Sequence, residues 1–165
     1  MRIAITTVGL TLYALLCAAA FGQEQRAEKA AEITPSQLVG SYTIVESEKS
    51  GEKTEKEKID GVVVHFTEEK IVATDKDKNN VYACTYKLDT SKSPIEIHMT
   101  SIIPEHREAK SKGLIKKEGD KLVLIYTLPD HEEMPKEFKT KEGQVMVTLQ
   151  KTVAVADKPD DIDRK

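Results

Sequence analysis

Between residues 40 and 152 the chain alternates apolar and polar side chains at period two, in short runs broken by turn residues. This pattern constrains the fold most, because side chains two positions apart share a face only along a strand. The strongest run, residues 121–126, reads Lys-Leu-Val-Leu-Ile-Tyr. The others put Tyr42 with Ile44; Val62, Val64 and Phe66; Tyr82, Cys84, Tyr86 and Leu88; and Ile95, Ile97 and Met99 on single faces. A run at 113–117 is weaker, one at 144–151 closes the series, and 137–140 reads as a further short strand. Tight turns at 68–69, 77–80, 89–93, 118–120 and 142–143 join successive runs. Short strands joined this way predict an all-β antiparallel meander. Closure into an up-and-down barrel of about eight strands removes its exposed edges; an open sandwich is the alternative. One short N-terminal helical turn is expected, with Thr34 as its cap, Pro35 in its first position and Gly40 ending it.

The 165 residues divide into four parts. Residues 1–22 read as a signal peptide: Met1-Arg2, an uncharged apolar stretch to Ala20, and small residues at 20 and 22. An uncleaved anchor is the competing reading, weakened by Thr6, Thr7, Gly9 and Thr11. Residues 23–37 form a polar segment with the short helix, 38–152 the barrel domain, and 153–165 an acidic tail expected to be disordered. The protein is therefore expected in the periplasm, in the cell envelope or outside the cell, with no membrane span after cleavage. Cys17 leaves with the leader, so Cys84 has no disulfide partner within the chain and reads as a small buried hydrophobe. Lys and Arg number 25 against 28 Asp and Glu, and losing Arg2 takes the formal charge from −3 to −4. The charges interleave, with no basic footprint for nucleic acid.

Motifs that suggest chemistry fail on their neighbours. Asp75-x-Asp77-x-Asn79 has the alternate oxygens a calcium loop uses, but Asn80 stands where the turn needs Gly and Tyr86 where a bidentate Glu belongs. His131-Glu132-Glu133 lacks the second His of a zinc-protease helix, Pro135 standing in its place. His65, His98 and His106 show no ligand spacing. Ser50-Gly51-Glu52-Lys53 matches Ser-x-x-Lys inside a polar loop, without the helix that chemistry requires. The sequence thus predicts no catalytic residues, no metal and no cofactor.

Four stretches carry a resemblance. They are Leu38-Val39-Gly40-Ser41-Tyr42-Thr43-Ile44-Val45, the hairpin Tyr86-Lys87-Leu88-Asp89-Thr90-Ser91-Lys92-Ser93-Pro94, the turn Gly119-Asp120-Lys121-Leu122, and Pro135-Lys136-Glu137-Phe138. Through them residues 38–152 resemble a family of secreted lipocalin-like domains from planctomycete bacteria that has no assigned function. The resemblance implies a lipocalin-like barrel and export, and it carries no catalytic residues. Tyr42 stands where the family has Trp, Ile125 where it has Cys, and Met134 where it has Arg.

Two further expectations follow. Tyr42, Phe66, Tyr86 and Tyr126 are the candidate ligand-binding residues, their rings and hydroxyls lining a small interior cavity under the 47–60 loop; the competing reading is plain core packing. Val123 and Ile125 make the 121–127 strand apolar on both faces, so something covers its outside: the segment around Ala27, Ala30, Ala31 and Ile33, or a partner. The function these readings favour is non-enzymatic binding of a small apolar or amphipathic molecule in the barrel. The rival is an envelope structural or protein-interaction domain with a filled core and no ligand.

Overall fold

A computed structural model describes residues 33–152. The signal segment, residues 23–32 of the polar segment with Ala27, Ala30 and Ala31, and the 153–165 tail lie outside the described residues. The described chain opens with α1 (Pro35–Leu38), capped as predicted: Thr34 is the N-cap, Pro35 starts the helix, and the Thr34 amide donates to Gln37 Oε1 at 3.1 Å. Strand β1 (Gly40–Lys49) follows, then β2 (Glu52–Lys53), α2 (Lys56–Ile59), β3 (Val63–Phe66), β4 (Lys70–Thr74), β5 (Asn80–Asp89) and β6 (Ile95–Ser101). A 3-10 turn at Pro104–His106 leads to β7 (Lys110–Glu118), β8 (Lys121–Thr127) and β9 (Gln144–Lys151).

Each strand from β3 to β8 pairs antiparallel with the next, and β1 pairs with both β3 and β9. The result is a closed eight-stranded barrel, with β2 as a two-residue appendix on β1. β1 pairs along its two edges over different lengths, overlapping at Tyr42 and Thr43. Gly40 to Thr43 face β3, and the pairing with β9 runs from Tyr42 to Lys49, with a register shift at Val45. A bulge of this kind bends the strand and increases its twist, which helps a sheet close on itself.

The lumen holds the predicted faces. Tyr42, Val64, Phe66, Ile71, Cys84, Tyr86, Ile97, Met99, Ile115, Leu122, Leu124 and Leu149 are all buried in one cluster. Ile33 and Leu38 join it, so Ile33 belongs to the interior and not to the outer face for which it was a candidate.

Two segments differ from expectation. Residues 137–140 form no strand. They belong instead to a strap, residues 128–143, that connects β8 to β9. The polar 47–60 loop is shorter than its composition suggests, because β1 continues to Lys49 and the rest folds into β2 and α2.

The strap explains the two-faced β8. Leu114, Ile125 and Met146 lie in one cross-strand row on the outside, next to the row of Lys116, Val123 and Thr148. Leu114, Val123 and Ile125 are nevertheless buried, Ile125 completely. Phe138 sits under the Lys116 ammonium, 4.5 Å from ring centroid to Nζ, on the outside of β7. Two residues later, Thr140 donates its hydroxyl to the Glu48 carboxylate on β1 and accepts the Gly51 amide at 2.9 Å. β7 and β1 flank β8 and β9, so a segment anchored on both crosses the apolar row between them. Pro135 and Thr140 are buried along the way.

The strap's exit depends on Gly143. Its φ is +73°, and a Cβ there would run into the His131 ring. Gly143→Ala is expected to lower the unfolding free energy by about 2 kcal/mol, from left-handed strain and overpacking together. Urea denaturation checks this; an unchanged midpoint would mean that the strap does not hold the outer face.

Candidate functional site

Strand direction gives the barrel two ends of different construction. At one end lie the start of β1, the β3–β4 turn and the β5–β6 hairpin. Here Tyr42, Phe66 and Tyr86 form a chain of rings. Tyr42 and Phe66 meet edge-to-face at 5.4 Å, and Phe66 and Tyr86 at 6.0 Å. Such contacts add about 0.5–1.5 kcal/mol each beyond their buried area. The Tyr42 hydroxyl donates to the Leu38 carbonyl and the Tyr86 hydroxyl to the Thr67 carbonyl, both at 2.8 Å. Leu38, completely buried, brings α1 against this end. Three of the four candidate ligand residues therefore act together as a plug. Leu88 and Ile95, half-buried near the β5–β6 hairpin, flank it.

Tyr126, the fourth candidate, lies toward the opposite end, among the last residues of β8. Its neighbour is Tyr82, near the start of β5, with ring centroids 6.5 Å apart and planes inclined by 31°. Five lumen-facing apolar residues on this side are only half-buried: Ile44, Val62, Tyr82, Tyr126 and Val147. Ile44 and Val147 are well inside their strands, so the incomplete burial extends below the rim at β1 and β9. The structure thus separates the four predicted residues into a sealed end and an open end. Sequence reasoning missed Ile44, Val62, Tyr82 and Val147 as a group. The available signal was position along the strand, since Tyr82 and Tyr86 share a face but point toward opposite ends of the barrel.

Gly113 makes room for Tyr126. The two are cross-strand partners, and a Cβ on Gly113 would collide with the Ile125 carbonyl oxygen and the Tyr126 backbone. Only glycine lets β7 lie this close to β8 beside the ring. The 47–60 segment reaches the same end: the Thr54 amide donates to the Ser47 carbonyl at 2.8 Å, and the Thr54 hydroxyl to Ser47 Oγ at 3.0 Å.

Burial raises the ionisation range of all four tyrosines. Tyr126 is pushed up to about 12 by desolvation, with a smaller contribution from Cys84. Tyr86 is pushed up to about 12 by desolvation first and then by Glu68. Tyr42 and Tyr82 are raised by desolvation as well. The Cys84 thiol is pushed up to about 11 by burial, partly offset by hydrogen bonding to Tyr82 and to the Ile71 backbone, so it stays protonated and unreactive at neutral pH.

Several other motif side chains make local contacts. Asp75 Oδ1 accepts the amides of Asn79 and Asp77, both at 2.9 Å, which closes the β4–β5 turn. Those bonds, led by the one from Asn79, hold its carboxyl below the usual range. Ser50 Oγ accepts the Gly143 amide at 3.2 Å. His65 Nδ1 pairs with Ser41 Oγ at 2.9 Å, and His98 lies 3.6 Å from Glu96 on the outside of β6, as its alternation predicts. Among the described residues, no three His, Cys, Asp or Glu side chains converge as metal ligands would. A depression of about 40 Å³ between Glu46, Glu48, Lys53, Met146 and Thr148 lies along β1 and β9, and it has room for little more than water. No helix among the described residues is long and apolar enough to cross a membrane.

Compared with known proteins, the chain matches no family model, no curated protein and no solved structure.

The tyrosine shifts have a testable consequence. An unfolded chain loses phenolic protons near pH 10, the unperturbed value, whereas folded Tyr86 and Tyr126 keep theirs to about 12. Between those values the unfolded state binds fewer protons, so stability falls as pH rises from about 10 to 12 and is unaffected by these groups below 10. Near-ultraviolet absorbance titration is expected to show phenolate appearing together with unfolding, above the normal midpoint. Ordinary ionisation of these tyrosines in the folded protein would contradict the burial described.

Proposed function

We propose that the protein is an exported, non-enzymatic binding domain whose barrel takes the apolar part of a small molecule at its open end. The observation that carries this reading is the difference between the ends. Tyr42, Phe66, Tyr86 and Leu38 fill one, while Ile44, Val62, Tyr82, Tyr126 and Val147 leave half-buried apolar surface inside the other. Concave apolar surface with a few polar groups is what small-molecule sites are made of. The filled lower half sets the scale, so the bound group is small and enters from the rim. Tyr42, Phe66 and Tyr86 then support the site from below, and Tyr126 is the one original candidate that touches ligand. Export rests on the leader-like residues 1–22 and on the resemblance to secreted lipocalin-like domains.

The rival reading, an envelope interaction domain with no ligand, draws on the same filled lower half. A neutral polarity-sensitive dye separates the two. Wild-type protein is expected to bind the dye with a micromolar Kd. Val147→Trp, which fills the open end, is expected to weaken binding at least tenfold with the far-ultraviolet spectrum unchanged. Lys87→Trp, on the outside of β5, is expected to leave binding as it was. Dye binding that survives Val147→Trp, or no binding at all, would favour the interaction reading.

A further inference from the structure

We infer that the open end selects neutral molecules that join an apolar body to a hydrogen-bond acceptor, such as a ketone, ester or ether oxygen, received by the hydroxyls of Tyr126 and Tyr82. This rests on the reading of the open end as a binding site and specifies its ligand class.

The four barrel tyrosines differ in what their hydroxyls do. Tyr42 and Tyr86 donate to main-chain carbonyls at full-strength distances, both 2.8 Å. Tyr82 donates to the Met99 thioether at 3.8 Å and also interacts with the Cys84 thiol, both weak acceptors that an oxygen readily displaces. The Tyr126 hydroxyl makes no hydrogen bond to any described residue, and no described buried side-chain oxygen or nitrogen lacks a partner, so free space adjoins this oxygen although its surroundings are largely desolvated. Tyr126 and Tyr82, the two phenols with oxygen-binding capacity to spare, are therefore neighbours, 6.5 Å apart by ring centroid, and both lie beside the half-buried apolar surface.

The surroundings decide the charge of the guest. Ala73, Cys84, Met99, Ser111, Gly113 and Val145 are the nearby lumen positions given by the strand register, and none carries charge. Lys49 is placed opposite Val145 at the rim, where it is exposed. A carboxylate drawn down to the tyrosines would lose its water without gaining a cation, which costs far more than a neutral oxygen does. Burial also keeps both phenols protonated, Tyr126 up to about 12, so they stay donors throughout the physiological range.

Three molecules of similar size test this on the full chain: butyrophenone, neutral with one carbonyl; butylbenzene, its hydrocarbon counterpart; and 4-phenylbutyrate, an anion. Methyl NMR of Ile44, Val62 and Val147 reports binding. Butyrophenone is expected to bind roughly three- to tenfold more tightly than butylbenzene, the value of one or two neutral hydrogen bonds. The anion is expected to bind at least tenfold more weakly than the ketone. Tyr126→Phe combined with Tyr82→Phe is expected to remove the ketone's advantage while butylbenzene affinity holds, which shows that the variant keeps its mouth. Equal binding of ketone and hydrocarbon, tighter binding of the anion through Lys49, or a ketone advantage that survives in the double variant would each overturn the inference and leave the open-end site standing. If none of the three shifts those methyl signals, the site itself fails and the inference with it.

Discussion

The pairing of β1 with both β3 and β9 is the constraint from which the rest follows. Without it the strands form a meander with two free edges and no inside, and the period-two faces have nothing to enclose. With it, each lumen-facing residue gains a full ring of neighbours. β1 achieves this in ten residues, through a register shift at Val45 that leaves that side chain 40% exposed. The hydroxyl of Thr152 and its amide both bond back to the Ser41 carbonyl, which ties the end of β9 to the start of β1.

Closure also fixes the two ends. An eight-stranded barrel has an interior barely wide enough for its own side chains, so where the large ones sit decides what space is left. Tyr42, Phe66 and Tyr86 crowd one end, and the hydroxyls of Tyr42 and Tyr86 are matched to carbonyls of α1 and of the β3–β4 turn. The other end receives Tyr82 and Tyr126, with the Gly113 backbone packed close against that of Tyr126, and its apolar lumen residues are only half-buried. The strap over β8 and β9 works outside the barrel. It lets β8 be apolar on both faces, and the lumen therefore does not have to bury Val123 and Ile125.

Much of this was legible in the sequence. Alternation placed Val62, Val64, Phe66, Tyr82, Cys84, Tyr86, Leu88, Ile95, Ile97 and Met99 on lumen faces, and turn residues separated the strands. Thr34-Pro35 marked the helix start. What alternation could not supply was height within the barrel. Tyr42, Phe66, Tyr86 and Tyr126 all face inward, and only the register shows that three of them meet while the fourth joins Tyr82. The strap was hidden for a different reason. Glu137 to Thr140 has strand-like composition, but Phe138 found its partner in Lys116 on an outer face, a tertiary contact that no local pattern encodes. The need for a cover over Val123 and Ile125 was readable; that residues 128–143 supply it was not.

The central claim is that water enters one end of this barrel and not the other. Methyl relaxation by a neutral, water-soluble paramagnetic agent tests it directly. The account predicts strong broadening of Ile44, Val62 and Val147, with Leu38, Ile97, Ile115 and Leu122 protected. Equal protection of both sets, or broadening of Leu38 ahead of Val147, would contradict it.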